Sequence, residues 1–176
     1  MDKAEARHEI EKLIFGYAEA LDDGDLGAVR ELFREAEVEP APGQVLQGGD
    51  AVAEMFARHT IFYDAGGVAD PWAADSRPHT RHCVTNLVID VDDAFRTARA
   101  KSYVVVFQAR PDLPLQPVFR NRYHDEFVCD GGRWRFARRR MVHDEFGAGD
   151  TSRHLHAERR GARPPVATGS GRGRAD

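Results

Sequence analysis

Cysteine is nearly absent. Cys83 and Cys129 are the only two in 176 residues, and neither sits in a Cys-x-x-Cys pair. That excludes a disulfide-rich scaffold and the usual spacing of zinc and dithiol redox sites. Both are expected to be small buried residues in a reducing compartment, which points to the cytoplasm. Long apolar runs are also missing: no stretch approaches the ~20 residues that cross a bilayer. The opening Met1-Asp2-Lys3-Ala4-Glu5 leads into a polar helix without the apolar centre of a signal peptide. Net positive charge is lacking too. The formal charge of -4 argues against nucleic acid as a partner, because phosphate recognition needs a basic surface. Arg138-Arg139-Arg140 is a local exception, but a strand divides such a run between its two faces. No glycine-rich phosphate loop or nucleophile elbow occurs. His79, His82 and Cys83 lack a diagnostic ligand spacing, so neither a metal nor a cofactor is expected.

What is present begins with a helix over residues 5–22. Ile10, Leu13, Ile14, Tyr17 and Leu21 recur at the three- and four-residue spacing of one face. Phe15 and Ala18 widen that face, and Asp22 falls on the widened shoulder, where it can look toward the core. Asp25 fits as the N-cap of a second helix running through Phe33, and Pro40-Ala41-Pro42-Gly43 ends that unit. Gln44–Gln47 reads as a short strand. A third helix runs from an Asp50 cap to about Tyr63 and carries Val52, Met55, Phe56 and Ile61. Residues 64–78 form a loop anchored by Trp72 and suited to closing over a pocket. The period then changes. Residues 82–91, 94–108, 117–129 and 133–146 read as strands, with hairpin turns at Asp92-Asp93 and Asp130-Gly131-Gly132 and a longer connection over 110–116. Three helices followed by an antiparallel meander give an α+β fold. The expected shape is a curved sheet wrapped around the N-terminal helices, a cone with a pocket at its mouth. One domain over 1–156 would be followed by an Arg-, Gly- and Pro-rich disordered tail over 157–176.

Asp22 is a poor helix-terminal residue, because a carboxylate in the last turn opposes the macrodipole. With Asp25 already suited to capping, Asp22 becomes a candidate site residue. His82 opens the first long strand. An aspartate and a histidine converging on one apolar pocket make a general base. Phe15, Phe56, Trp72 and Phe107 are expected to wall that pocket and bind the substrate.

The segment Glu9-Ile10-Glu11-Lys12-Leu13-Ile14-Phe15-Gly16-Tyr17-Ala18-Glu19-Ala20-Leu21-Asp22-Asp23-Gly24-Asp25 resembles the opening helix of the SnoaL-like, nuclear-transport-factor-2-like superfamily. Thr80-Arg81-His82 with Thr85-Asn86, Arg122-Tyr123-His124-Asp125, Gly132-Arg133-Trp134-Arg135-Phe136 and Asp150-Thr151-Ser152-Arg153-His154-Leu155 are similar to its later elements. The resemblance implies a cystatin-like roll and the His-Asp dyad of the branch of dehydratases and dehydrochlorinases. His82 would be the base and Asp22 its orienting partner. Tyr17 would donate to the leaving oxygen, and an arginine after the Trp-x-Phe strand would stabilise negative charge. Spacing favours Arg139, yet strict alternation puts it opposite the Trp134 and Phe136 face, so Arg138 stays open. The implied protein is a cofactor-independent lyase or isomerase, homodimeric or homotrimeric, that takes a small hydrophobic cyclic substrate. A polyketide cyclase uses the same parts. The rival is a non-catalytic ligand-binding cone, or an assembly partner like the β subunit of ring-hydroxylating dioxygenases.

Overall fold

Ile10, Ile14, Tyr17 and Leu21 are all buried along helix α1 (Lys3–Asp23), as their spacing requires. Asp2 caps the first turn by accepting from the Glu5 backbone N–H at 2.9 Å. Gly24, left-handed at φ 73°, ends the helix by bonding back to the carbonyls of Ala20 and Leu21. Asp25 then caps α2 (Leu26–Leu32), accepting from Ala28 N–H at 2.9 Å. The computed structural model describes residues 2–143. The end of the expected last strand (144–146), the Asp150–Leu155 segment and the 157–176 tail lie outside the described residues.

Six strands follow the order β2-β1-β6-β5-β4-β3. They are β1 (Glu37–Ala41), β2 (Gln44–Gln47), β3 (Thr80–Val91), β4 (Thr97–Arg110), β5 (Leu113–Asp130) and β6 (Arg133–His143). All pairings are antiparallel except β1 with β6. The α+β architecture is the expected one: N-terminal helices against a curved sheet. One face of that sheet presents Val104, Val106, Tyr123, Phe127, Phe136 and Met141 to α1. Two polar contacts fix the direction of the helix. Lys3 Nζ meets Asp93 at 2.6 Å beyond the far end of β3, and Asp22 meets the start of β3. α1 therefore runs antiparallel to β3.

Several local expectations need correction. Pro40-Ala41 belongs to β1 rather than to a break, because Val38 and Pro40 alternate inward and the strand pairs with β6. Helix α3 spans Gly48–His59, stopping short of Tyr63. Its N-cap is Gln47 without a side-chain bond, and Asp50 instead pairs with Arg30 at 2.6 Å. The 110–116 connection is no loop. β4 and β5 pair up to Arg110 and Leu113, and the Arg110 guanidinium holds Asp112 across the turn. Trp72 anchors nothing, being 91% exposed. Tyr63 does the anchoring, bridged to Ala69 and Arg77 and covered by the Arg110 guanidinium at 4.1 Å. Cys83 is exposed on the outer face of β3, and Cys129 is half-buried, packed against the core near the end of β5.

Helices α2 and α3 touch through Gly49, where an added Cβ would lie 1.9 Å from the Arg30 carbonyl oxygen. At Gly16, within α1, nothing lies within 4 Å of the same position. The two glycines should therefore answer an alanine substitution with opposite signs. Gly49→Ala should lose about 1–3 kcal/mol by forcing the helices apart, and Gly16→Ala should gain about 0.5–1 kcal/mol. Urea denaturation of the two variants reads this, and a neutral Gly49→Ala would contradict the packing.

Candidate active site

β3 is an edge strand, so alternate backbone N–H groups point away from β4 and need another acceptor. Asp22 supplies it. One carboxylate oxygen accepts the His82 backbone N–H at 2.8 Å, and the other accepts the Thr80 hydroxyl at 2.8 Å. That second oxygen also lies 2.6 Å from His82 Nδ1. Thr80 and His82 reach the same carboxylate because residues two apart in a strand share a face. His79, left-handed at φ 55°, precedes them, and its Nε2 lies 2.9 Å from the Asp64 carbonyl. Both side chains of the dyad are only 9% exposed.

Burial works against the Asp22 charge. The hydrogen bonds from His82 and Thr80 and the adjacent imidazole outweigh it, and the carboxyl is held below the ordinary carboxylate range. A carboxylate accepting from Nδ1 assigns the proton to that nitrogen and the lone pair to Nε2. Nε2 has no partner among the described residues.

Tyr17 lies five residues before Asp22 and turns toward β5 and β6 instead. Its ring meets Phe33 edge-on at 5.4 Å, Tyr123 at 6.1 Å and Phe56 at 6.2 Å. The Arg139 guanidinium sits 4.3 Å from the centroids of both Tyr17 and Tyr123. Burial pushes the Tyr17 phenol well above its usual value; Tyr123 adds to the rise and the Arg139 charge opposes it. Burial also raises Tyr123, with the negative charges of Asp125 and Asp22 adding to the effect. Tyr123 thus stands between the dyad and the arginine.

Arg139 is fully buried and points inward because the β5–β6 register slips. Glu126 faces Arg138 while Phe127 faces Phe136, leaving Ala137 as the extra residue of a bulge. Arg138 faces outward, 3.0 Å from Glu37 and 3.2 Å from Glu39. The Arg139 charge is already matched. Its Nε and one terminal nitrogen each donate to Asp125 at 2.7 Å, a bidentate pair that holds the guanidinium charged despite burial.

The residues expected to wall the pocket lie apart. Phe56 contacts Tyr17, whereas Phe15 is 48% exposed on the helix surface and Trp72 projects into solvent. Phe107 faces Arg81 and Pro117 on the outer side of the sheet, opposite to Val106 and His82. Hollows of about 400 and 390 Å³ lie beside the Ala137 bulge and between α2 and α3, and neither includes the dyad. Among the described residues no group of three His, Cys, Asp or Glu side chains could hold a metal ion. Sequence reasoning missed the roles of Thr80, Tyr123 and Asp125. The Thr-x-His spacing signals the first. The Tyr-x-Asp alternation signals that the other two share a face.

Residues 2–140 match the SnoaL-like domain. Among curated proteins none matches the chain. Of solved structures, a candidate scytalone dehydratase from Novosphingobium aromaticivorans is 22% identical, with 81% of this chain and 86% of that one covered and a TM-score of 0.60. A candidate aromatic ring hydroxylase from the same organism is 20% identical over 87% and 99% of the two chains, with a TM-score of 0.63. ActVI-ORFA of Streptomyces coelicolor is 18% identical over 78% and 96%, with a TM-score of 0.58. At these identities the likeness establishes the fold.

Two outcomes follow from the site's electrostatics. Asp125→Ala strands a buried guanidinium and should cost about 3–5 kcal/mol, whereas Asp125→Leu combined with Arg139→Met should cost less than that single change. Urea denaturation decides between them. The depressed Asp22 carboxyl contributes stability in full above its unfolded pKa of about 3.9, and that contribution fades as pH falls through the lower folded value. The stability gap between wild type and Asp22→Asn should therefore be constant above about pH 5 and narrow on acidification. A gap independent of pH would refute the assignment.

Proposed function

The chain belongs to the SnoaL-like domain family, and from that premise we propose that it is a cofactor-independent lyase or isomerase of the dehydratase type. The observation that carries this reading is the buried Asp22–His82 contact at 2.6 Å, with His82 Nε2 unpartnered among the described residues. Nε2 takes a proton from substrate carbon. The C–H electron pair becomes a new double bond, a neighbouring C–O bond breaks, and the imidazolium returns its proton to the departing oxygen, which leaves as water; in an isomerisation the proton returns to another carbon and the double bond shifts. Asp22 fixes the imidazole tautomer and stabilises the imidazolium that forms. Tyr17 and Tyr123, both kept protonated by burial, are the neutral donors available to a developing oxyanion. Arg139 acts on that charge through the tyrosine rings and its one unbonded nitrogen, since Asp125 holds the other two. The substrate is a small, largely apolar cyclic molecule. A cyclase reaction of the polyketide type draws on the same proton transfer.

Tyr103, Val88 and Leu115 are large exposed apolar residues of the sheet strands. A homodimer or homotrimer covering part of that surface accords with them. The same surface supports the rival reading, an assembly partner like a dioxygenase β subunit. Light scattering of the purified chain separates the two, because an assembly subunit would require a larger partner.

The chemical test is turnover of a panel of hydroxylated and halogenated cyclic substrates. His82→Ala and Asp22→Asn should each lower kcat by at least about a hundredfold. An active wild type whose rate survives both substitutions would remove the dyad from the chemistry.

A further inference from the structure

The outer face of the sheet, turned away from α1, is laid out in cross-strand rows whose charges change character along the strands. In one row Asp90 faces Arg99, Arg99 faces Glu126, Glu126 faces Arg138 and Arg138 faces Glu37. Every neighbour there has the opposite sign. Arg138 Nε reaches Glu37 at 3.0 Å, and Arg99 approaches Glu126 at 3.8 Å. Opposed charges across strands support a sheet, and like charges weaken it.

Two residues further along each strand the alternation stops. Lys101 faces His124, and His124 faces Arg140. Glu39 stands opposite Arg140 on β1, but Arg138 holds its carboxylate at 3.2 Å. Arg140 turns to His124 instead, 3.2 Å from Nδ1. The next row is Thr85, Tyr103, Arg122 and Val142, and beyond it come Cys83, Val105 and Arg120. On β3–β6 none of these positions is acidic. His124 registers the resulting field. Burial lowers its pKa, and the charges of Arg140, Lys101 and Arg122 lower it further against the pull of Asp125.

Apolar side chains sit among these cations. Val88, opposite Lys101, is 54% exposed, and Tyr103, opposite Arg122, is 49% exposed. Charge separates the occupants such a face could take. A second copy related by a two-fold axis through these rows would set Lys101 and Arg140 against themselves, since an isologous contact apposes identical patches. A nucleic acid duplex brings an unbroken phosphate charge, about one per 1.7 Å, with no apolar counterpart for Val88. The Asp90, Glu126 and Glu37 row and the formal charge of -4 oppose it further. A short acidic protein segment meets both requirements. Its carboxylates would reach Lys101, Arg122 and Arg140, and apolar side chains between them would cover Val88 and Tyr103.

We propose that the outer sheet face around Lys101, His124 and Arg140 is a docking surface for an acidic segment of another protein, one whose carboxylates are separated by aliphatic or aromatic side chains. The inference is independent of the dyad, and it confines self-association to the rest of the exposed surface.

The experiment follows the fluorescence anisotropy of a labelled peptide on titration with the full chain at low salt. The peptide places glutamate, leucine and tyrosine at alternate positions with serine between, so that one extended face carries all three. Its controls are the same peptide with glutamine for every glutamate, and an oligothymidylate of equal charge. The acidic peptide should bind, and added salt should weaken it. Lys101→Glu and Arg140→Glu should each reduce its affinity at least about tenfold, and Tyr103→Ser should reduce it as well. Arg7→Glu on α1 makes the same change in net charge away from the sheet, and should alter the affinity less than about twofold. Melting curves establish that the variants fold, and Lys101→Ala or Arg140→Ala replaces any charge reversal that does not. No binding of the acidic peptide, equal binding of its glutamine form, or equally tight binding of the oligothymidylate would each overturn the proposal. An effect of Arg7→Glu as large as that of Lys101→Glu would do the same. So would self-association of the wild type that Lys101→Glu disrupts, because a second copy would then occupy the face.

Discussion

The Asp22 carboxylate is the joint on which the rest of this structure turns. It sits at the negative end of α1, where a helix does not favour an anion, and three donors from the start of β3 make the position tenable. One of those donors is an edge-strand N–H that would otherwise be open to another chain. A single side chain therefore ties a helix end to a sheet edge and to an imidazole. None of the three can be altered alone. Moving the helix end would release the edge and the ring together.

A second polar centre works by the opposite route. Arg139 and Asp125 lie deep in the interior, with the tyrosines and phenylalanines of α1, α2 and β6 around the guanidinium. Removing two charges from water is expensive, and a bidentate pair offsets that only with good geometry. The bulge at Ala137 provides it by turning Arg139 toward the face that Asp125 occupies. The consequence for chemistry is that the interior holds a cation whose field is largely spent. Tyr17 and Tyr123, pressed against it, remain neutral donors.

Legibility in the sequence followed the range of the interaction. The α1 stripe, the Asp25 cap and the Asp130-Gly131-Gly132 turn are local, and the chain states them within a few residues. The pairing of Asp22 with His82 was legible through the family resemblance: helix phase turned Asp22 toward the core, but nothing local to His82 said that the two meet. β1 was not legible: Pro40 and Pro42 read as a break, and its partner β6 lies about a hundred residues further on. Arg139 defeated strict alternation, since a bulge is a property of two strands in register. Phe15 and Phe107 show the same limit from the other side. A phenylalanine in a helix or strand has apolar character but no intrinsic face, and neighbours decide which way it turns. Trp72 was misjudged because size suggests burial, while the loop was tied down by Tyr63 and Arg110 instead.

The interior is divided along its length. Toward the β3–β4 and β5–β6 turns, Ala6, Ile10, Ile89, Ala98, Phe127 and Phe136 belong to the apolar core. Toward the opening of β3, the same inner face carries Thr80, His82, Gln108 and Asn121. Apolar residues of similar volume would serve a purely structural interior at least as well, because unpaired buried amides stabilise nothing. The first half demonstrates that this sheet can be packed that way.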